Sequence, residues 1–387
     1  MKQNILKLTA AIFFIIGSVP ANAQEINVVT TAVPFLRIAP DARAAAMGDL
    51  GVATTPDANS SFWNLGKVPF NKNRGGISVS YTPWLSDLLK DVYLSALAGY
   101  YKLDDEQAIS CSFRYFSLGN IQFTDAFGQD LNSFRPREYG MDIGYSRKLS
   151  GKSGLGVGLK YIYSNLAEGA AAGNTYKAAS SVAGDIAYFF NGHNLQGKGW
   201  AFGAVLSNLG AKISYTDNSD QKDFIPANLG IGTTYTWMFN TANKLMLGID
   251  INKLLVSTPP ADPATPEQLK EYRSKSVISS WFSSFSDAPN GVSEEIKEFQ
   301  VSLGGEYVYN DQFALRAGYF LEDKTKGNRS YFSMGVGVKY NSIGLDFSYL
   351  VPSGSGVDRN PLSNTLRFSL HFNFDNGNSG SKAKTTN

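Results

Sequence analysis

Two histidines, one cysteine and scattered carboxylates are all this chain of 387 residues offers for chemistry near neutral pH. Histidine is the usual base in that range. His193 falls in the turn-like stretch NGHNLQG, where a solvated imidazole is expected; His371 falls in LRFSLHFNF, near Ser369 and Arg367. A serine beside a histidine base would be hydrolase chemistry, but at alternate strand positions these side chains read as structural polar residues of one face. Zinc needs a converging set of ligands, and Cys111, His193 and His371 lie in separate segments. GLGVGLK at 154–160 is glycine-rich without the spacing of a phosphate loop. Leu155, Val157, Leu159 and Tyr161 alternate through it, so it reads as a strand with inward glycines. Asp262, Glu267, Glu294, Glu295 and Glu298 lack a calcium-loop pattern and read as solvated charge. No catalytic residue, cofactor or metal site is expected.

The elements that would position these residues are strands. In YFSMGVGVKYNSIGLDFSYL, residues 331–350, Phe332, Met334, Val336 and Val338 alternate with small or charged side chains. After Asn341-Ser342 the pattern restarts at Ile343, Leu345, Phe347 and Tyr349. Two period-2 runs split by two turn formers make a β-hairpin. The same pattern recurs from Gly75 onward, predicting fourteen strands at 75–82, 91–101, 106–117, 135–148, 154–164, 179–190 and 198–208, then 226–238, 243–256, 298–309, 312–321, 330–340, 343–350 and 363–374. Connections after even strands are short. Those after odd strands are mostly long: 118–134, 165–178, 209–225, 257–297, 322–329 and 351–362. Outer-membrane barrels have short periplasmic turns and longer extracellular loops, whereas a soluble sandwich has no reason to alternate by parity.

Composition agrees. Charged residues are 18%, against about 25% in typical soluble domains. Phe numbers 25, Tyr 20 and Gly 38, which suits aromatic strands with a crowded inner face. A net charge of +2 gives no reason to expect nucleic acid. Lys2 and Lys7, the apolar run Leu8–Val19 and Ala21-Asn22-Ala23 read as a secretory signal peptide over 1–23. No later run is long enough for a membrane helix, and a lone cysteine, Cys111, allows no internal disulfide. The expected architecture is all-β: a 14-stranded antiparallel transmembrane β-barrel at 75–374, with apolar side chains toward outer-membrane lipid. Inward charges of both signs, among them Arg114, Asp142, Lys160, Asp185, Asp250, Glu306, Arg316, Lys339, Asp346 and Arg367, would pair across a filled lumen. A polar flexible tail is expected at 375–387.

Residues 24–74 do not alternate and read as an N-terminal hatch or plug. Asp41 is an N-cap candidate for a short helix at 42–47, with Gly48 as its stop. The strings RAAAMGD at 43–49, GVAT at 51–54 and FWN at 62–64 resemble the hatch of FadL-like barrels. The longer string PFLRIAPDARAAAMGDLGVATTPDANSSFWN, 34–64, resembles the PorV family, FadL-related subunits of the Bacteroidota type IX secretion system. The resemblance implies a non-catalytic integral protein of the outer membrane. Its partners would be the translocon barrel (SprA or Sov), the C-terminal signal domains of secreted cargo, and an attachment complex including PorU. Hatch residues matched are Arg37, Asp41, Arg43, Gly48, Trp63 and Asn64, with Arg37 and Asp41 as expected anchors to lumen charges. The FadL pattern has Asn-Pro-Ala where this chain has Asn64-Leu65-Gly66, which counts against the alternative function, FadL-type transport of small hydrophobic compounds.

Two outer loops carry apolar residues fit to meet a protein. TPWLSDLLK at 82–90 holds Pro83, Trp84 and Leu85. The 257–297 excursion, longer than loops without a function usually run, holds a predicted helix at 266–276 and then Trp281, Phe282 and Phe285. Clustered aromatics on loops serve as interface anchors; the competing reading of Trp84 and Trp281 is an aromatic girdle at the membrane interface.

Overall fold

The computed structural model describes residues 27–84, 89–124, 127–171, 174–217, 222–260, 264–351 and 364–375. The expected signal peptide, Leu85, Asp262 and the tail from 376 lie outside them. The strands run in chain order β1 (Gly75–Pro83), β2 (Val92–Lys102), β3 (Gln107–Leu118), β4 (Ile121–Thr124), β5 (Asp130–Phe134) and β6 (Arg137–Lys148). Next come β7 (Ser153–Asn165), β8 (Gly169–Ala171), β9 (Asn174–Tyr176), β10 (Ala179–Asn191), β11 (Gly199–Gly210) and β12 (Asn228–Met238). The set ends with β13 (Asn243–Leu254), β14 (Gln300–Tyr309), β15 (Phe313–Leu321), β16 (Tyr331–Tyr340), β17 (Ile343–Val351) and β18 (Leu366–Phe374). β4 with β5 and β8 with β9 form separate hairpins in outer loops, an addition to the fourteen strands read from the sequence. The other fourteen close into one antiparallel barrel, sealed where β1 pairs with β18 from Gly75↔Phe374 to Tyr81↔Phe368.

Closure leaves no unpaired edge, the condition for a sheet in hydrocarbon. The side chains are sorted inside out. On β16 and β17, Met334, Val336, Ile343 and Leu345 face outward and are exposed, while Ser333, Asp346 and Ser348 point inward and are buried. Short turns join the barrel at one end, and Asn310 and Asp311 both take positive φ (53° and 54°). That is the two-residue turn whose twist matches the strands, and Asn and Asp tolerate it best after glycine.

The lumen is filled by the chain's own N-terminal segment. Short helices α1 (Ala42–Ala45) and α2 (Ser60–Trp63) and a 3-10 turn over Leu65–Phe70 pack against inward strand faces. Phe35, Met47 and Leu50 are fully buried. Contact is close because the barrel wall offers glycine there. A Cβ at Gly156 would overlap Leu65, and one at Gly318 would overlap the Met47–Gly48 backbone. The glycines of GLGVGLK therefore face inward to admit Leu65 and Gly66. Gly48 itself takes φ +68°, and a Cβ on it would come within 2.7 Å of the Tyr319 backbone.

Gly318→Val should lower stability by about 1–3 kcal/mol, the usual cost of overpacking, read as an earlier urea midpoint in detergent. Gly151→Val, at a turn position whose Cβ meets nothing within 4 Å, should leave the midpoint unchanged.

Candidate functional site

The N-terminal segment is fastened to the barrel by charge-assisted bonds. Arg43 uses its whole guanidinium fork. Nε and Nη2 donate to Glu306 of β14 (2.9 and 2.8 Å), Nη1 to Asp57 (2.8 Å) and the Thr55 carbonyl (2.9 Å), and Nη2 to Thr55 Oγ1 (2.6 Å). Glu306 also accepts from Arg316 of β15 (2.7 Å), and Arg316 donates to Asp346 of β17 (2.6 Å). His371 of β18 stands 3.4 Å from the other Asp346 oxygen. One ionic chain thus runs from the segment across β14, β15 and β17, with the His371 ring of β18 beside its end.

Asp41 caps α1, accepting from the Ala44 N–H (2.9 Å), and accepts from Trp63 Nε1 (2.7 Å). Its partners belong to its own segment, so the expected anchoring by Asp41 is corrected: the bond to the lumen charges is made by Arg43. Burial raises the Asp41 carboxyl to about 6, helped by Asp57. Arg37 reaches Glu322, just past β15, at 3.6 Å. Asn64 donates to the carbonyls of Val52 (2.9 Å) and Tyr188 of β10 (3.0 Å) and accepts from Gly66 N–H (2.9 Å). The Gly48 N–H donates to Ser333 of β16 (2.9 Å). Further contacts had no sequence signal: Asp250 of β13 accepts from the Gly51 and Val52 amides (2.7 and 2.8 Å), and Lys67 caps the Gly51 carbonyl (2.6 Å).

Opposite the Arg43 chain, Lys160 of β7 lies between Asp142 of β6 (3.2 Å) and Asp185 of β10 (3.3 Å). Beside the segment lies a cavity of about 130 Å³ bordered by Arg37, Arg114, Arg329 and several Asn side chains. Its lining is mixed, since Phe62, Trp63 and Phe320 border it as well. The residues considered for hydrolysis are engaged elsewhere, since Ser369 accepts from the Ala42 N–H (2.8 Å) and bonds Ser80 (2.6 Å) rather than His371. His193 is partly buried in its turn rather than solvated.

The outer loops divide. Pro83 and Trp84 are partly buried, and Trp84 stacks edge-on to Phe116 with centroids 6.2 Å apart, against the cluster of Val33, Phe35 and Leu36. They close the barrel mouth rather than project from it. The excursion after β13 folds into α3 (Pro266–Ser274), α4 (Val277–Ser283) and α5 (Val292–Lys297). Thr265 and Gln268 form a capping box for α3, and Ser276 caps α4, which splits the single helix expected over 266–276. Trp281 and Phe282 lie on α4 and Phe285 just beyond it. Phe282 is 75% exposed and Phe285 45%, while Trp281 is partly buried. Ile278, Val292 and Ile296 add exposed apolar surface on α4 and α5. Beneath them, Lys253 of β13 donates to Glu298 (2.7 Å) and Glu295 (3.2 Å), and Lys326 to Glu294 (2.5 Å) and Glu298 (3.0 Å). These acidic residues are thus neutralised by lysines. Burial would raise the Glu294 carboxyl, but Lys326 and the Asn290 amide outweigh it and hold it below the usual range.

The family model described as type IX secretion system protein PorV matches residues 21–261. No curated protein sequence matches the chain. Among solved structures, the Ralstonia pickettii toluene transporter TbuX is similar at 12% identity and TM-score 0.50, covering 86% of this chain and 98% of that one. The CymD monoaromatic hydrocarbon channel is similar at 11% identity and TM-score 0.53, covering 87% and 98%. At such identities the likeness is one of fold: a FadL-like barrel, integral to the outer membrane.

Arg43→Met would leave the buried Glu306 with Arg316 as its one charged partner and take the arginine from the part-exposed Asp57, a loss of about 3 kcal/mol. We expect an earlier urea midpoint and faster proteolysis within 27–74. Arg147→Met, which breaks only the exposed 3.8 Å pair with Glu106, should change neither. The Glu294 contribution carries a sign. A carboxyl depressed on folding stabilises above its unfolded value of 4.5 and loses that as pH falls through the folded value. Hydrogen exchange at 290–298 should therefore be slow at pH 6 and accelerate, relative to the barrel strands, below pH 4.5.

Proposed function

Because the chain belongs to the PorV family of type IX secretion system proteins, we propose that it is a non-catalytic carrier. It binds the C-terminal signal domain of cargo at the translocon barrel (SprA or Sov) and passes that cargo to the attachment complex containing PorU. The observation that carries this reading is the platform after β13. Phe282, Ile278, Val292 and Ile296 are each more than 60% exposed on short helices. The frame below them is pinned by Lys253 and Lys326 through buried ion pairs. Apolar and aromatic anchors on a rigid frame suit a protein partner, because little ordering is lost on docking.

The alternative, transport of small hydrophobic compounds, needs a continuous apolar path through the lumen. The cavity beside the N-terminal segment is small, about 130 Å³, and three arginines interrupt its apolar lining, which supports the carrier.

The decisive experiment is recovery of the protein from its own membranes in mild detergent. The native protein should bring down a very large barrel and secreted proteins that retain their C-terminal domains. Ile278→Asp with Phe282→Asp should reduce that recovery roughly tenfold while the barrel still migrates as folded. Undiminished recovery by the double variant would remove the platform from the docking site. Recovery of the barrel alone with hydrophobic small molecules would favour the transporter.

A further inference from the structure

We propose that a recess in the lipid-facing wall, near the short-turn end of the barrel, seats an acyl chain of a phospholipid whose phosphate meets Arg74 and Arg147. The recess holds about 750 Å³ across β1, β2, β3, β6 and β7. That is within the range of pockets that take small ligands. Its floor is one row of paired residues, Ile77↔Gly99↔Cys111↔Ile143↔Leu159. Gly99 and Cys111, the two small members, stand side by side. Tyr101, Ile109 and Tyr145 border them toward the short turns.

Packing within the protein does not account for the glycine. The wall glycines that admit the N-terminal segment point inward, where a Cβ would overlap it. Gly99 points outward, and a Cβ there would meet the Gly76 carbonyl oxygen at 3.4 Å and Ile77 Cγ1 at 3.7 Å, ordinary contact distances. The fold would accept a larger side chain, so the recess is open space on the outer wall. In hydrocarbon, an unfilled recess forfeits the dispersion contacts of its lining. A flexible acyl chain restores them.

Position and charge select the ligand. Gly99 is three positions from the end of β2 at Lys102, about 10 Å at strand spacing. In a hydrocarbon core roughly 30 Å thick, that places the recess in the leaflet adjoining the short turns. At that end Arg74 lies over the Tyr101 ring, 5.3 Å from its centre. It donates Nε to Tyr101 Oη (3.3 Å) and Nη2 to the Leu103 carbonyl (3.1 Å). Asp375 accepts the Arg74 backbone N–H (3.4 Å) rather than the guanidinium. Arg147 follows Tyr145 by two positions on the outer face of β6. It stands 3.8 Å from Glu106, with both side chains more than half exposed, where such a pair contributes little. Arginines at headgroup level recognise phosphate through charge-assisted hydrogen bonds. An apolar protein wall would fill the recess and leave both cations unanswered, whereas a phospholipid satisfies both features. The site lies at the end opposite the docking platform and stands apart from cargo carriage.

The test incubates the full protein in mild detergent with phosphatidylglycerol, or with diacylglycerol of the same chains, and counts bound lipid by native mass spectrometry. The native protein should retain phosphatidylglycerol selectively. Gly99→Leu, which fills the recess from an outward position, should retain about tenfold less with unchanged folded migration. Arg74→Gln with Arg147→Gln should abolish the preference over diacylglycerol, and this variant decides the matter if Gly99→Leu does not fold. Equal retention by the native protein and Gly99→Leu, or a native protein without preference between the two lipids, overturns the site. Loss of a co-purifying protein from Gly99→Leu, with lipid retention unchanged, overturns the lipid and assigns the recess to a protein partner.

Discussion

The structure depends on one constraint: a sheet that turns its apolar face to lipid must hold its charges inside, and each charge there needs a partner. Arg43 shows how it is met. Its five N–H bonds reach Glu306, Asp57 and Thr55, so one side chain from the N-terminal segment satisfies a wall carboxylate and two residues of its own segment. An arginine suits this role because its planar fork binds a carboxylate bidentately. The barrel without the segment would leave Glu306, Asp250 and Arg114 facing an unfilled lumen. The segment without the barrel has four-residue helices, too short to persist in water. Each component thus depends on the other.

Steric fit follows the same logic. Where the segment crosses β7, inward positions are Gly154, Gly156 and Gly158; where it crosses β15 and β14, they are Gly318 and Gly304. The backbone of one element comes against the backbone of the other. Amides and carbonyls of the segment then reach wall side chains directly, as the Gly51 and Val52 amides reach Asp250. Abundant glycine and abundant inward charge therefore have one cause.

Much of this was legible in the sequence, and the part that was not has a physical reason. Period 2 exposed the barrel strands because lipid on one face and packed polar groups on the other enforce strict alternation along each strand. Parity of connection length identified the two ends. The hairpins β4–β5 and β8–β9 stand above the membrane, where no such sorting applies, and their short strands left no pattern. Helices α4 and α5 were missed for the same reason. Asp41 was readable as a cap because Ala44 is its neighbour in sequence. That Arg43, rather than Asp41, reaches the wall depends on Glu306, 263 residues away, and no local pattern encodes such a pair. The lysines that neutralise Glu294, Glu295 and Glu298 lie as far as β13 and the loop after β15.

A lumen closed in this way redirects where function can reside. Opening it for a ligand would require breaking several buried ion pairs together, each costly to leave unpaired, so routine gating would carry a high barrier. The rim is under no such restriction. Its loops are longer than the turns at the other end, and the excursion after β13 spends its charges on holding α4 and α5 in place while their apolar side chains stay exposed. Lys253 belongs to a barrel strand yet serves this loop, donating to Glu298 and Glu295. The rigidity of the membrane-embedded wall thereby extends to the outer surface. Under the proposed carrier role the barrel acts as an anchor: it fixes the orientation of a docking platform relative to the membrane plane, and the filled lumen keeps that platform still.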